Sequence, residues 1–442
     1  MAVMAAVIFS QLASHLGRAG APSSALQLEP FTHNRSWSIA TVGVYDPSWP
    51  RPPGLSYEQA CARGLWISEA APSAWETPRP SNGWACDNSG NGVWSYAAHE
   101  LLSHSVPMQH QRSAIYSDSE DFAALYIATG PIVGTGADSR ENSDRIRYLA
   151  RVMNAVARPT IVVGLGVLHA ATNDCSATPS AGSIAFLHVL KERFAQHGGF
   201  AALRGDCTKN ILAQAGFNEA NGFYSLGCPS LFADVNKKPD HGRNLQAAYT
   251  ALASRIQTGN EKLKIGLLCS KQAPAVNKAL ARFVKERGAQ GSLLLMQDQT
   301  DVACSATELS TGATIERKIF YDVKSWMSAI SKLDVIIGPR IHGSMIALAM
   351  GVPTITIVID ERIRELCQRM LLAYAESTDF ASGLDQGHVA SLVVAVAQNF
   401  DGTAFDLNRR EISGRYVKLL SDACGSSCKP HPHLLTLAGG LG

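Results

Sequence analysis

Short apolar runs alternate with amphipathic stretches through the first half of the chain, starting at a β-branched run near residue 37. Apolar runs of four to eight residues indicate strands, and a 3.6-residue apolar period indicates helices. The pattern predicts strands at 37–44, 122–127, 160–166 and 200–203, and helices at 93–102, 143–157, 184–197 and 207–215.

A second alternation follows a polar stretch at 235–260, which has the composition of a domain boundary. It predicts strands at 264–269, 292–296, 334–338 and 354–359, and helices at 275–286, at 323–331, from 344 and from 362. Strands that alternate with helices form parallel sheets covered by helices. We therefore expect an α/β fold with two Rossmann-like domains that face a cleft.

The predicted domains are an N-terminal Rossmann-like domain at 37–240 and a C-terminal one, followed by a tail, at 241–442. Residues 1–36 show no clear pattern and are interpreted as a leader. Residues 49–87 are rich in Pro, Gly, Ser and Trp and predict a long loop. Loops of this length are usually functional.

The hydrophobic fraction and the net charge of the chain exclude some classes of protein. Of the 442 residues, 46% are hydrophobic and 17% are charged, which suits large cores and excludes a disordered chain. The formal net charge of +2 offers no overall field for nucleic acid or for anionic membrane. Recognition of an anion must therefore be local, and no nucleic-acid partner is expected.

The ten cysteines include no CxxC pair, which predicts small buried side chains in a reducing, cytoplasmic compartment. Cys424 and Cys428 are expected to be free thiols, with a metal site or a disulfide as the alternatives. The apolar runs at 1–9 and 345–359 are shorter than the roughly 20 residues of a membrane span. No transmembrane segment is predicted, and peripheral membrane association stays open.

The stretch from 334 to 353 carries the clearest chemistry. A buried strand ends at Gly338, Pro339 blocks its continuation, and Ser344 is predicted to cap the next helix. Arg340 and His342 then lie in the turn at the carboxyl end of the strand, where open α/β sheets bind ligands. The helix N-terminus supplies N–H groups that suit a phosphate. Gly343 lets backbone and ligand approach closely.

A structural interpretation of this turn is also open, in which Arg340 pairs with a surface carboxylate and His342 only caps the helix. Arg204 supports the functional interpretation because it ends the strand at 200–203 in the other half. Two arginines at a shared cleft would bind the oxygens of a small anion in pairs. The alternative for Arg204 is an ion pair with Asp206.

Two other kinds of motif are weaker. Asn88, Gly90 and Asn91 precede a helix and are either cap residues or a loop whose amides contact a ligand. The Gly-rich stretches 129–136 and 164–166 do not complete GxGxxG and are interpreted as turns, so no dinucleotide cofactor is expected. The thirteen histidines form no HExxH motif, and no catalytic metal is expected.

Several of these motifs together resemble the polysaccharide pyruvyl transferase family. Its C-terminal signature is similar to 340–344, 347–353 and 360–366, with Ile341 where Leu is commoner, and upstream segments at 203–206 and 227–232 agree with it. The segment at 88–91 is similar to the Asn/Gly-rich entry of the family's first helix. The resemblance covers roughly 85–375.

The resemblance implies a GT-B-like fold and the transfer of pyruvate from phosphoenolpyruvate to a sugar as a cyclic ketal, with release of phosphate. Phosphoenolpyruvate would be a co-substrate, no further cofactor is implied, and a sugar or lipid-linked oligosaccharide would be the acceptor. The domain at 37–240 would be the acceptor side and the domain at 241–442 the donor side. The implied donor-binding residues are Arg204, Arg340, Ile341, His342, Gly343 and Ser344, with Arg340 and His342 catalytic. His342, expected near its titration range, would protonate the methylene carbon of the donor or help phosphate leave.

Some alternatives stay open. Arg364 either lines the same cleft or forms an ion pair on the helix surface with Glu361 or Asp360. A GT-B glycosyltransferase that uses a nucleotide sugar would need similar anion-binding chemistry. A non-catalytic, sugar-binding member of the family is the third reading, and it predicts glycan binding without phosphate release.

Overall fold

The computed structural model describes twelve segments of the chain. They are residues 39–42, 90–103, 108–111, 122–136, 140–168, 175–233, 240–259, 261–297, 301, 315–320, 323–381 and 387–439. The predicted leader 1–36, the predicted loop 49–87 and Asn88 lie outside these segments, so the expectations for them stay predictions.

The first half forms one parallel sheet with helices. In chain order its elements are β1 (Ile39–Val42), α1 (Gly90–His99), β2 (Met108–Gln111), β3 (Ala124–Ala128), β4 (Pro131–Gly134), α2 (Arg140–Ala155), β5 (Thr160–Leu168), α3 (Ala181–His197), β6 (Gly199–Leu203), α4 (Asp206–Gln214) and β7 (Phe223–Ser225). The strands pair in the order β2-β1-β3-β5-β6-β7, and β4 pairs with β5 off this path. The run around 129–136 is thus a short strand, not the predicted turn, since Pro131 and Val133 pair with Gly166 and Val167.

The second half forms another parallel sheet. Its elements are α5 (His241–Thr258), β8 (Ile265–Leu267), α6 (Pro274–Arg287), β9 (Leu293–Met296), β10 (Glu316–Ile319), α7 (Val323–Ile330), β11 (Val335–Gly338), α8 (Ile341–Ala349), β12 (Thr354–Val358), α9 (Glu361–Met370), β13 (Tyr374–Glu376), α10 (Ser377–Ala381), α11 (His388–Gln398), α12 (Gly402–Cys424) and α13 (Pro432–Leu437). The strands pair in the order β10-β9-β8-β11-β12-β13. Strand order therefore reverses between β8 and β11, which is the switch point where such sheets bind ligands.

The predicted class is confirmed: the chain is α/β, with two Rossmann-like parallel sheets. The GT-B-like likeness stays a prediction. Both sheets belong to one compact unit, Trp37–Gly442. The domain boundary near 240 and the assignment of donor and acceptor sides stay predictions. No helix in the described part of the chain is long and apolar enough to cross a membrane.

Helix α5 corrects the interpretation of 235–260 as a polar connection. Leu245, Tyr249, Leu252 and Ile256 are buried at helical spacing beneath a polar outer face. The phenol of Tyr249 fixes the helix to the second sheet, because it donates to the carbonyl of Thr354 at 2.7 Å. The stretch is polar overall but amphipathic, which is why its composition was misleading.

Two elements of the second half pack against the first half. Helix α12 returns to the first sheet, where Tyr416 meets the ring of Phe232 edge-to-face at 6.1 Å. The backbone N–H of Ser103 donates to the carbonyl of Lys429 at 2.8 Å. The predicted C-terminal tail is therefore part of the packing between the two halves.

The cysteines partly contradict the expectation of free thiols. Cys424 and Cys428 form a disulfide, as do Cys175 and Cys207. Cys228, Cys269 and Cys367 are free and buried, as predicted. Disulfides are uncommon in reducing compartments, so the two pairs do not support the argument for a cytoplasmic location.

A substitution at Gly338, the last residue of β11, tests how closely the ends of β8 and β11 approach each other. Its φ is 146°, and a Cβ there would lie 2.0 Å from the carbonyl oxygen of Leu268, just after β8. Gly338→Ala is expected to lower the free energy of unfolding by about 3 kcal/mol or more, measured by urea denaturation. The matched control is Gly414→Ala in α12, where a Cβ meets nothing within 4 Å. It should raise stability by about 0.5–1 kcal/mol, and equal effects of the two substitutions would contradict the expected crowding.

Candidate functional site

The turn after β11 places Arg340 and His342 at the start of α8. Arg340 is the N-cap residue, and its carbonyl accepts from the N–H groups of Gly343 at 3.1 Å and Ser344 at 3.3 Å. The helix thus begins at Ile341, three residues earlier than predicted, and Ser344 is not its cap. His342 lies in the first turn of the helix. The N–H groups of the first two helical residues, Ile341 and His342, have no acceptor within the helix and give its end partial positive charge.

Gly343 has a different role from the predicted one. A Cβ at this position would lie 2.7 Å from Cδ2 of Leu268 and 3.1 Å from Nε2 of Gln297. The missing side chain therefore lets α8 pack against the residues that follow β8 and β9. The close approach is to protein, and it brings the first turn of α8 to the switch point.

Arg340 is held by two groups of the second half. Its Nε donates to the carbonyl of Cys269 at 3.0 Å, and its Nη2 forms an ion pair with Asp301. Asp301 is fully buried and also accepts from the backbone N–H of Gln297 at 2.8 Å. The structural interpretation of Arg340 is thus partly right, although its carboxylate partner is buried and not at the surface. These contacts fix the orientation of the guanidinium at the switch point.

Arg204 follows β6 in the first half, as predicted, and is only 5% exposed. Its side chain lies across Gly166 of β5, where a Cβ would be 2.5 Å from Cδ of the arginine. The alternative ion pair with Asp206 is not among the described contacts, and the side chain of Asp206 is exposed. Arg204 is therefore directed by the backbone of β5 and not by its acidic neighbour in sequence.

Charges from both halves surround Arg204. Burial lowers the pKa of its guanidinium, and Cys228, Glu365 and Asp360 oppose that shift. The positive charge of Arg362 adds to the lowering. Three of these four groups belong to α9 or its N-cap, so the second half supplies most of the electrostatic environment of an arginine in the first half.

His342 connects the two arginines. Its pKa is lowered to about 3, mainly because it is buried, and then because of the charges of Arg204 and Arg340. Both arginines therefore act on one imidazole, and the structure brings the three predicted residues into one neighbourhood. Nε2 of His342 and Oγ of Ser344 are buried without a hydrogen-bond partner. Buried polar groups normally have partners, and a ligand bound at this turn would supply those that these two atoms lack.

The expectation that His342 is near its titration range is wrong for this state of the protein. The imidazole is neutral at neutral pH, because burial and two adjacent positive charges disfavour a third charge. An anion bound between the arginines would cancel part of that field. The proton affinity of His342 would then rise, so the state of the imidazole depends on occupancy of the site.

Arg364 forms ion pairs on its own helix and beyond. It donates to Glu361 at 2.5 Å and to both carboxylate oxygens of Glu376, at 3.1 and 2.7 Å. These charge-assisted bonds raise its pKa. The ion-pair interpretation therefore describes Arg364 in this structure, with Glu376 as the partner that the sequence did not reveal. Asp360 pairs with Arg362 instead.

The segment at 88–91 is only partly described. Gly90 and Asn91 form the first turn of α1, while Asn88 lies outside the described residues. Helix α1 packs on the helix that carries His342, because Val93 and Tyr96 share an apolar cluster with Ile346. The first half thus supports α8 from behind, and a contact of this segment with ligand stays a prediction.

One group of potential metal ligands lies beside the site. One ligand atom each from Cys175, Cys207 and Glu361 lies within 4.8 Å of the other two. The two sulfurs are joined as a disulfide, and Glu361 is paired with Arg364, so the group does not offer a ready set of metal ligands. The expectation of no catalytic metal stays a prediction.

The fold and the family match together assign the class of this protein. Two parallel Rossmann-like sheets, with Arg340 and His342 at a switch point, form the kind of α/β fold that binds ligands at the carboxyl ends of its strands. The family model of polysaccharide pyruvyl transferases matches residues 110–361, more than half of the chain. The chain belongs to the polysaccharide pyruvyl transferase family. No match is found among curated protein sequences.

Solved structures give weaker likenesses. The S. aureus MnaA–UDP structure is 12% identical, covers 87% of this chain and 97% of its own, and has a TM-score of 0.39. HepE from Anabaena in complex with UDP and glucose is 13% identical, covers 70% of this chain and 86% of its own, and has a TM-score of 0.34. TM-scores below 0.5 do not establish a shared fold.

The lowered pKa of His342 predicts a pH dependence of stability. Between its folded pKa of about 3 and its ordinary value of 6.5, only the unfolded chain binds this proton. The free energy of unfolding should therefore fall as the pH drops below 6.5, with a contribution approaching about 1.4 kcal/mol per pH unit. Urea denaturation from pH 5 to 7 should show a flatter dependence for His342→Gln. An unaltered slope in His342→Gln would contradict the assignment.

Proposed function

We propose that this chain transfers a pyruvyl group from phosphoenolpyruvate to two hydroxyls of a sugar, forming a cyclic ketal and releasing phosphate. The observation that carries the proposal is that the charges of Arg204 and Arg340 both act on His342, whose Nε2 is buried, in a chain of the pyruvyl transferase family. A product ketal on a glycan would place the reaction in polysaccharide or exopolysaccharide biosynthesis.

The charges of the site suit this donor. Phosphoenolpyruvate carries a carboxylate and a phosphate on one three-carbon unit, and two guanidinium groups would pair with both. The start of α8 adds N–H groups, and the unpartnered Oγ of Ser344 lies in its first turn. Asp301 pairs with one Nη atom of Arg340, and the carbonyl of Cys269 accepts from its Nε. These two contacts orient the guanidinium before the donor binds.

Because the imidazole of His342 is neutral without the donor, the donor must bind before His342 can act as an acid. The bound donor brings negative charge to His342, which raises its proton affinity and lets it hold a proton. Transfer of that proton to the methylene carbon produces a methyl group and an oxocarbenium-like centre. A sugar hydroxyl attacks this carbon and loses its proton, phosphate leaves, and the second hydroxyl closes the ketal. The net reaction is phosphoenolpyruvate plus diol giving ketal plus phosphate.

The direct test is phosphate release from phosphoenolpyruvate against free and lipid-linked galactosyl, mannosyl and glucosyl acceptors. Phosphate release that depends on acceptor is expected. Thermal shift with phosphoenolpyruvate against UDP and GDP sugars separates the glycosyltransferase alternative. Stabilisation by nucleotide sugars only, or glycan binding without phosphate release, would contradict the proposal.

Substitutions test the three roles. Arg204→Lys and Arg340→Lys keep the charge but lose the planar fork, so kcat/KM for the donor should fall by about 10–100-fold. His342→Gln should lower kcat by about 100-fold or more at saturating donor. The surface substitution Arg415→Lys is the matched control and should keep full activity. Near-normal turnover of His342→Gln would exclude the proton-donor role.

A further inference from the structure

Glu365 of α9 is a buried carboxylate that connects the two halves beside Arg204. It is 1% exposed. Its Oε2 accepts from the backbone N–H of Thr208 at 2.9 Å, and its Oε1 accepts from the hydroxyl of Thr208 at 3.0 Å. Thr208 lies in the first turn of α4, so a carboxylate from the second half caps a helix of the first half.

The packing around this cap leaves little freedom. A Cβ at Gly205 would lie 2.8 Å from Cβ and 2.9 Å from the carbonyl oxygen of Glu365. The hydroxyl of Thr208 also accepts from the N–H of Val167 at 3.2 Å, which ties the cap to β5. The segment that begins with Arg204 is therefore held against Glu365 by backbone contact and by hydrogen bonds.

Few charged groups face Glu365. Burial raises its pKa to about 7, the hydrogen bonds from Thr208 and the charge of Arg204 lower it, and Glu361 raises it. Helix α9 packs on α4, α12, β5 and β12. The two strands carry no titratable side chain, Asp206 of α4 is exposed, and Glu411 of α12 pairs with Arg369 at the far end of α9. After the hydrogen bond from the Thr208 N–H, the positive charge of Arg204 is the main influence that favours the ionised form of Glu365.

We propose that Glu365 is a positioning residue of the anion site and takes up a proton from solvent when an anion binds at Arg204. The inference rests on the anion site of the proposed function. Without a bound anion, the ionised form of the carboxylate offsets the buried charge of Arg204 and caps α4. A bound dianion draws on the charge of Arg204 and repels the carboxylate, so protonation of a carboxylate oxygen relieves the repulsion. The neutral group still accepts the Thr208 N–H, and the proton returns to solvent when the anion leaves.

The proposal predicts how the affinity for an anion depends on pH. Anion binding raises the pKa of Glu365 above its ligand-free value of about 7. Anion affinity should therefore be highest below pH 7 and should fall as the pH rises through the interval between the two values. A rise of one pKa unit on binding corresponds to about a tenfold loss of affinity across the interval.

The test uses sulfate, a dianion that does not titrate in this range. Calorimetric titration at pH 7.5, in buffers of different ionisation enthalpy, measures the protons taken up on binding. Wild-type protein should take up about half a proton if the pKa of Glu365 rises by one unit. Glu365→Gln keeps the shape of the cap and should lose this uptake. His342→Gln separates the contribution of the imidazole: proton uptake that persists in this variant belongs to Glu365, and its loss there would assign the proton to His342 and contradict the proposal.

The matched control is Asp406→Asn. Asp406 is also a buried carboxylate at a helix N-terminus, where it accepts from the N–H of Gly242 at 2.7 Å, and it is not among the groups that act on Arg204. On binding sulfate, the Asp406→Asn variant should take up as many protons as the wild type. Should Glu365→Gln fail to fold, the pH dependence of sulfate affinity in His342→Gln, which lacks the responsive imidazole, decides the question.

Two results would overturn the proposal: proton uptake by Glu365→Gln equal to that of the wild type, or a sulfate dissociation constant that is flat from pH 6 to pH 9. Sulfate binding requires no pyruvyl chemistry. Absence of phosphate release from phosphoenolpyruvate would therefore refute the proposed function without touching this result, and the converse also holds.

Discussion

The burial of Arg204 next to a second arginine and a histidine is the constraint on which the site depends. A buried charge is costly unless other groups compensate it. Asp301 compensates Arg340 by direct contact, whereas Glu365 and Asp360 act on Arg204 through space. His342 meets the same constraint by losing its proton. The empty site is thus a balance of charges that a bound anion would shift.

This balance exists only when the two halves are packed together. Arg204 comes from the first sheet, but Glu365, Asp360 and His342 come from the second half. Helix α9 reaches across to cap α4 through Thr208, and α1 packs behind α8. A change in the packing between the halves would therefore alter proton affinities at the site as well as distances.

The family match ends at residue 361, at the first residue of α9, but the physical site continues beyond it. Glu365 and Arg369 lie further along the same helix, and Asn408 of α12 accepts from Arg369 at 2.7 Å. The C-terminal helices are thus part of the support of the site. Cys207, three residues after Arg204, forms a disulfide with Cys175. This bond adds a covalent constraint to the start of α4.

The alternation of apolar runs was enough to predict most strands of both sheets, because a buried parallel strand is a continuous apolar run. β5 was predicted as 160–166 and spans Thr160–Leu168. Short or edge strands such as β7 and β13 carry too few apolar residues to stand out. Helix α5 was missed because a polar composition hid its buried stripe of Leu245, Tyr249 and Leu252.

For the site, the sequence by itself determined that Arg204, Arg340 and His342 follow the carboxyl ends of parallel strands, since strand ends are local features of the chain. Only the tertiary structure decided which charges surround them. Asp301, Glu365 and Glu376 are ordinary acidic residues in sequence, and their roles follow from contacts across tens to more than a hundred residues. A proton affinity is a sum over such spatial neighbours and over burial, which is why the neutral state of His342 could not be read from its motif.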